Sequence, residues 1–544
     1  MSNTVNYEFA PHERPLFPGS PYSPAHSPHR RGAYVCVGLL IGCCTTFTNA
    51  LVNVNAANLA GSLDLTLAQV SVLPALYVAL NATGNLTIIR ARTQFGIPNL
   101  TLALIGIYAL TAFLQLVIPC YATAIATRAA CGLMAAGLTA MTIFYFFQVL
   151  PPAAKPLAFV IGIGLIQLGT PLARLVPLDL LTADHGRGLS LIELGVALVV
   201  GAAIFAVPLP PTDRSPAFKP LDFVTIGLMV PAFVLFCIVL GEGRLLWWTD
   251  RAWLGWSLAA SIALVATAIA IETNREKPLL YMNWLAQGKI WRYFAVALLV
   301  RLALAEQTYG SVGFLAAGGL TNDQLHTLFV WVGVGTVLGI AVACMTLSEK
   351  SPRYQVLVAS LIISFAAFMD SGATSITRPE QLYVSQALIA FGTTLFIGPA
   401  LVYGFLHMMR QGGTHLVSLI VVFSTTQNVG GLAGSAILGS AQVMYARAHA
   451  AALAEHVVSA DPQTVARIQQ HIGAVSGVIT DPVLRGVQGT GLLGRALSNE
   501  ATTLAFDDVF RLVAWVSLAT AIYLALVIVI QPRPLGPPPA GAPA

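Results

Sequence analysis

Charge is what this sequence has least of: only 9% of its 544 residues are Asp, Glu, Lys or Arg, while 56% are hydrophobic. Soluble globular chains carry about 25% charged residues, so that class is excluded. Long polar stretches are scarce too, and apolar runs of about 20 residues recur along the chain, each long enough to cross roughly 30 Å of hydrocarbon as a helix. Runs of that length exclude a strand-built barrel, whose strands are about 10 residues long and alternate in polarity. The seven cysteines follow no paired spacing: Cys36, Cys43, Cys44, Cys131, Cys237 and Cys344 lie inside apolar runs and Cys120 at a helix edge. Neither a disulfide nor a metal site is expected from them. The Gly-Lys phosphate loop of ATPases, zinc-ligand spacing and the nucleophile elbow of hydrolases are all missing, which argues against an ATP-driven pump and a membrane hydrolase. No catalytic residue is expected, and the chain is read as a non-enzyme without a nucleic-acid partner.

What is present is an all-α integral membrane protein of fourteen transmembrane helices. The spans centre near residues 44, 79, 108, 133, 167, 198, 233, 262, 303, 336, 362, 394, 428 and 520. An even number puts both ends on one side. With the N-terminus inside, the cytoplasmic connections hold sixteen Lys and Arg residues, whereas the short outer loops hold only Arg187, Arg244, Arg251 and Arg378. That bias predicts cytoplasmic termini. The first 33 residues, rich in Pro, Ser and His, lack the apolar core of a cleavable signal and are read as a disordered cytoplasmic tail.

Domain limits follow from punctuation. "PPTDRSPAFKPLDF" and "ETNREKPLLYMNW" flank the seventh and eighth spans with Pro and charge, marking a helical pair inserted between two six-span halves. The expected units are a tail over 1–33, a first half over 34–210, the inserted pair over 211–290, a second half over 291–530 and a second tail over 531–544. The second half includes a long outer loop, 445–508. Within it, "AEHVVSADPQTVARIQQHIGAV" has an Asp-Pro helix start followed by apolar residues at helical spacing, so short amphipathic helices are expected there.

Ionisable groups inside spans cost about 2.5 to 3.5 kcal/mol each on insertion scales, which makes each one a functional candidate. Arg128, Arg174, Glu193, Arg301 and Glu306 qualify. Entering the ninth span near Trp291, Arg301 lies about 15 Å and Glu306 about 22 Å deep at 1.5 Å per residue. Five residues at about 100° each put them roughly 140° apart around the helix, so they do not face each other. Both are expected to face or flank a central cavity. Glu306 either carries a proton, neutral in one conformation and charged in the other, or forms a structural ion pair. Arg174 either attracts an anionic substrate or neutralises Asp179. Gln307, Tyr309, Gln427 and Asn428 are candidate cavity-lining groups whose polar atoms could equally bond a neighbouring helix. Gly430 and Gly434 form a Gly-x-x-x-Gly face for close helix packing. Asn81, Asn85 and Asn99 match the glycosylation pattern but lie within or beside spans and are discounted.

Fourteen spans as six plus two plus six resemble the major facilitator superfamily, specifically its fourteen-helix drug/proton antiporter family of the EmrB/QacA type. "STTQNVGGLAGSAILGS" (424–440) resembles that family's glycine-rich thirteenth helix, and "LDFVTIGLMVPAFVLFCIVLGEGRLLWW" the opening of its inserted pair. "RAACGLMAAG" places Arg128 where the family has an arginine implicated in proton coupling, and "LVNVNAANLAGSL" places Asn53 at a common Asn position. There are departures. "TTFTNA" lacks the first-helix acid, and "GNLTIIRARTQFG" keeps Gly84, Arg90, Arg92 and Gly96 of the loop motif without its Asp. "GTPLARL" keeps Gly169 and Pro171 but puts Arg174 where small residues are usual.

The resemblance implies a proton-coupled efflux antiporter for small lipophilic or aromatic compounds, of the drug-resistance type, working by alternating access in a bacterial inner membrane. Glu306 and Arg128 would couple protons, Glu306 replacing the absent first-helix acid. Asn53, Arg174, Arg301, Gln307, Tyr309, Gln427 and Asn428 would line the substrate cavity. The proton motive force stands in place of a cofactor. Membrane lipids surround the chain, and the long outer loop suits a periplasmic adaptor with an outer-membrane channel. A dedicated exporter or importer of one metabolite, such as a siderophore or aromatic acid, and a transport-inactive sensor or scaffold share these features.

Overall fold

The computed structural model describes residues 13–530, apart from 18, 277, 412–413, 459 and the side chains of 184–186. Among the described residues, thirteen helices are long and apolar enough to cross a membrane. A fourteenth span is interrupted. The crossing helices are α1 (Pro28–Val54), α2 (Leu67–Phe95), α3 (Ile97–Val117), α4 (Tyr121–Phe147), α5 (Pro152–Arg174) and α6 (Leu178–Ala206). The next pair is α7 (Pro220–Gly243) and α8 (Ala252–Thr273). Then α9 runs over Gly288–Ala303, widens into a π turn at Glu306–Gly310 and resumes over Ser311–Ala317. After it come α10 (His326–Met345), α11 (Pro352–Asp370), α12 (Tyr383–Met409) and α13 (Leu416–His456). A short α14 (Pro462–Val475) precedes the last span, α15 (Pro482–Ile530). The chain is a multi-pass membrane protein. Below, the face holding the start of α1 and the end of α15 is called proximal, the opposite face distal.

Packing repeats between the two sets of six. In the first, α1 lies against α5, α2 against α4 and α3 against α6; in the second, α9 lies against α13, α10 against α12 and α11 against α15. Between the sets, α2 packs on α13, and α5 on α10 and α12. The helix α7 touches both α2 and α13, with α8 outside it. Most of α8 is exposed apolar surface, as a helix facing lipid on all but one side must be.

Small residues set how near these helices come. A Cβ on Gly434 would lie 2.7 Å from Ala305 Cβ and 2.8 Å from the Leu302 carbonyl oxygen, so α13 and α9 touch backbone to backbone there. A Cβ on Gly430 would meet Leu298 of α9, one on Gly84 would lie 3.1 Å from Ala136 of α4, and one on Gly169 would collide with Thr46 Oγ1 of α1, with Pro171 buried two residues on. Gly96 is different: its φ of +84° makes the one-residue turn between α2 and α3.

One expectation changes at the N-terminal end. The tail read as disordered over 1–33 is packed from Glu13 onward, and α1 already begins at Pro28; 1–12 lie outside the described residues, as does the expected tail 531–544. Phe17 is the cause, because its ring finds Phe144 and Phe147 of α4 and Phe405 of α12 at 5.9–6.3 Å and is buried between them. Gln148 Nε2 donates to the Tyr22 carbonyl oxygen at 3.0 Å and the Tyr22 hydroxyl donates to Asp213 at 2.7 Å, tying the segment to the first six helices. In segment 445–508 the short helix expected at the Asp-Pro start forms as α14, and the rest is built from extensions of α13 and α15. At 1.5 Å per residue, 41 and 49 residues span about 60 and about 75 Å, twice the hydrocarbon thickness. Asp461 caps α14 through the backbone N–H groups of Gln463 and Thr464, which hold its carboxyl below the ordinary carboxylate range. His449 and Asp508, 2.7 Å apart, join the two extensions.

Replacing Gly434 by Val is expected to destabilise the protein by about 1–3 kcal/mol through overpacking. The thermal unfolding midpoint of detergent-purified protein should fall, whereas Gly473→Ala, with open space around it, should leave it unmoved.

Candidate functional site

Between the two sets of helices lies a cavity of about 570 Å³. That volume suits a small organic molecule. Its walls are aliphatic and aromatic, but four arginines line it: Arg92 of α2, Arg174 of α5, Arg244 just after α7 and Arg301 of α9. Among the described residues no Asp or Glu lines it. The rest of the polar lining is amide and hydroxyl, including Asn49, Asn53, Asn81, Asn85, Gln167, Gln307, Tyr309, Gln427 and Asn428.

Each arginine is held by neutral groups. Arg301 Nε donates to the Gln427 carbonyl oxygen at 2.8 Å, and its guanidinium lies on Gly431, where a Cβ would be 2.7 Å from Nη2. Arg244 Nη1 donates to the Tyr309 hydroxyl at 2.8 Å, with its side chain in the space left by Gly439. The glycine-rich face of α13 thus supports two cavity cations besides packing against α9. Arg174 Nη1 donates to Asn322 Oδ1 at 3.2 Å, and Asn322 Nδ2 returns a bond to the Arg174 carbonyl oxygen at 2.9 Å. Asp179, the alternative partner, is exposed one turn beyond and takes no part. Arg92 is the most enclosed: Phe17 and Phe144 cover it at 5.7 and 5.1 Å, and its Nε and Nη2 are buried with no hydrogen-bond acceptor.

Contacts across the cavity join the halves at three levels. Distally, the Arg174–Asn322 pair ties α5 to the residues preceding α10. At mid-depth Asn81 Nδ2 donates to Asn428 Oδ1 at 3.3 Å and Asn85 Nδ2 to Ser424 Oγ at 3.2 Å, which explains why the first two glycosylation-like asparagines are buried. Proximally, Phe159 of α5 and Phe405 of α12 lie 4.7 Å apart beside Phe17.

Two expected coupling residues stand apart from this lining. Arg128 is fully buried, donates to the Glu193 carboxylate of α6 and faces the Thr48 carbonyl oxygen of α1, a closed ion pair inside the first six helices. Glu306, expected to face or flank the cavity, flanks it: the π turn aims its carboxylate away, into α11 and α12. There Gln386 Nε2 donates to Glu306 at 3.1 and 3.4 Å and to Asp370 Oδ2 at 2.8 Å. No cation pairs with either carboxyl among the described residues, and Gln386 Oε1 is buried without a donor. Gly310 permits this turn, because a Cβ there would be 3.0 Å from Phe510. The next residue, Gln307, lines the cavity and donates to the Gln386 carbonyl oxygen at 3.0 Å.

Sequence reading missed Asp370, Gln386, Arg92 and Arg244. Asp370 closes its span, Arg244 read as a loop residue and Arg92 as part of the loop motif. Arg90 approaches Asp222 of α7 at 3.9 Å, and Asp222 accepts from Arg275 at 2.7 Å.

Removing one member of the Arg128–Glu193 pair should cost about 3–5 kcal/mol by stranding the other charge, while Arg128→Met with Glu193→Leu should cost much less. Folded yield after detergent extraction would show single variants depleted and the double variant recovered.

No family model matches the sequence. No curated protein matches it either. Similar solved structures include the in meso crystal structure of the POT family transporter PepTSo, 13% identical with a TM-score of 0.52, covering 92% of this chain and 99% of that one. A bacterial homologue of the human drug peptide transporters PepT1 and PepT2 is 11% identical with a TM-score of 0.51, covering 92% and 99%. The human organic anion transporter MFSD10 (TETRAN) is 12% identical with a TM-score of 0.49, covering 90% and 100%. Together with the repeated six-helix packing, the likeness identifies the major facilitator fold, with two helices added between its halves.

Proposed function

We propose that this chain is a proton-coupled exporter of small organic anions, aromatic weak acids foremost, working by alternating access. The observation that carries this reading is the cavity lining: four arginines, apolar and aromatic walls, and no carboxylate among the described residues. Unbalanced positive charge inside a membrane protein is costly, and an anion bound between the halves offsets it. Arg301 and Arg244 offer guanidinium donors to a carboxylate, the surrounding rings suit an aromatic body, and lipophilic cations are repelled. The substrate class is thereby narrower than lipophilic drugs in general.

The Glu306–Gln386–Asp370 cluster is the proton site in this reading. Two negative charges bridged by one amide repel each other in a low-dielectric interior. A bound proton removes the repulsion and supplies the donor that buried Gln386 Oε1 lacks. Gln307 and the π turn connect that cluster to the cavity wall, so protonation and the position of α9 against α12 are linked. The closed Arg128–Glu193 pair serves the rigidity of the first half. With the Lys- and Arg-rich proximal face in the cytoplasm of a bacterial inner membrane, an anion leaving as one proton enters moves two charges favourably, worth about 4.6 kcal/mol per 100 mV.

Inside-out vesicles with an acidic interior, followed with a pH-sensitive dye, test this. Benzoate-like acids should release the gradient and lipophilic cations should not. Arg301→Gln should weaken the apparent affinity about 10- to 100-fold, the loss of a charged hydrogen bond. Glu306→Gln and Asp370→Asn should abolish acid-dependent proton release while leaving acid binding by the purified protein intact. Release driven by cations but not acids would sink the anion reading.

A further inference from the structure

A second cavity of about 220 Å³ opens at the proximal end of the second six helices, between α9, α11, α12 and α15. Five cations surround it, Lys289, Arg292, Lys350, Arg353 and Arg410, against one acid, Glu349. Its deeper wall is apolar, with Val296, Phe396 and Val527. A basic connection on this face needs no explanation beyond topology, but a charged rim over an apolar cavity does.

Three observations specify the occupant. First, the cavity borders hydrocarbon: on the turns of α15 that line it, Ile522, Leu526 and Val529 are 53–74% exposed, and Trp291, beside Arg292, is 67% exposed. Exposed tryptophan marks the level of lipid headgroups. Second, the wall holds an unsatisfied donor. Trp284 Nε1, which can only donate, bonds Gln411 Oε1, so the Gln411 amide nitrogen faces His407 Nε2 at 3.4 Å. That nitrogen must then accept, which places the His407 proton on Nδ1, a buried atom with no partner. The His407 ring lines the cavity, and an anion there would favour its protonated form. Third, Tyr293 is locked across the wall, its hydroxyl donating to the Ala400 carbonyl oxygen at 2.8 Å and its ring against Gly404, where a Cβ would meet Oη at 2.8 Å. The cavity is therefore preformed.

We infer that this cavity binds an anionic phospholipid, its phosphate at the Lys289–Arg292–Lys350 rim and His407, and one acyl chain along Val296, Phe396 and Val527. Basic pockets between membrane helices on the positive face take such headgroups. The site shares one lining residue, Leu419, with the central cavity and does not rest on the transport reading. Because it bridges α9 to α12, an occupied site would brace the helix that carries Glu306 against the helix that carries Gln386.

The test uses the full-length protein in maltoside detergent, with lipid binding followed by native mass spectrometry and the unfolding midpoint. Phosphatidylglycerol should bind at least about tenfold more tightly than phosphatidylcholine of the same chains and raise the midpoint more. Each basic residue at the surface contributes about fivefold toward an anionic lipid, so Arg292→Gln with Lys350→Gln should remove most of the preference. Both residues are exposed, and the wild-type lipid ratio stands even if the variant folds poorly. Equal binding of the two lipids, or a preference unchanged in the double variant, would overturn the proposal. Displacement of phosphatidylglycerol by millimolar inorganic phosphate would reassign the site to a free anion, and displacement by benzoate to a second substrate site.

Discussion

Desolvation of charge is the constraint on which this structure turns. A guanidinium or carboxylate in hydrocarbon must be neutralised, solvated or bound, and each solution leaves a different geometry. Arg128 and Glu193 are neutralised by one another, and the first six helices close around them. Arg92, Arg174, Arg244 and Arg301 are not neutralised; they face a cavity and lean on carbonyl, amide, hydroxyl and aromatic groups. Glu306 and Asp370 share one amide and have no counter-ion among the described residues. Pairing makes a strut; in the function proposed above, exposure to a cavity makes a binding site and a shared amide a place for a proton.

The glycines of α13 connect that electrostatics to packing. Gly430 and Gly434 bring α13 against α9, and the next position around the helix, Gly431, is the surface on which the Arg301 guanidinium lies. Gly439 does the same for Arg244 and Tyr309. One helix face thereby sets both how closely two helices approach and where two cations stand. The π turn of α9 is the complement: by widening at Glu306–Gly310 it lets consecutive residues serve different surroundings, Glu306 in the buried cluster and Gln307 in the cavity wall.

Asymmetry between the halves follows from the same parts. Apart from the cavity arginines, the first six helices hold Arg128 and Glu193 as a closed pair, whereas the second six hold a carboxyl cluster with no counter-ion among the described residues and a basic cavity at the proximal end. The segment around Phe17, anchored on the first half through Tyr22 and Gln148, reaches Phe405 of the second. In the proposed alternating-access reading, apolar contact without directional bonds suits a junction that forms and separates as the halves rock.

By itself the sequence determined the class, the number of spans, the inserted pair and the intramembrane residues worth attention, because a hydrocarbon layer imposes a length on every apolar run and a penalty on every charge inside one. Arg301 and Glu306 were legible as pointing apart because helical periodicity is local. Their partners were not. Gln386 and Asp370 lie 80 and 64 residues from Glu306, Glu193 lies 65 from Arg128, and Phe17 is 388 from Phe405, distances along the chain that no local pattern spans. Arg92 and Arg244 looked like loop charges, since only the folded chain puts a cavity beside a span's last turn. Which charge is paired, which is buried and which faces a cavity depends on what approaches from other helices, and that was decided by the tertiary structure alone.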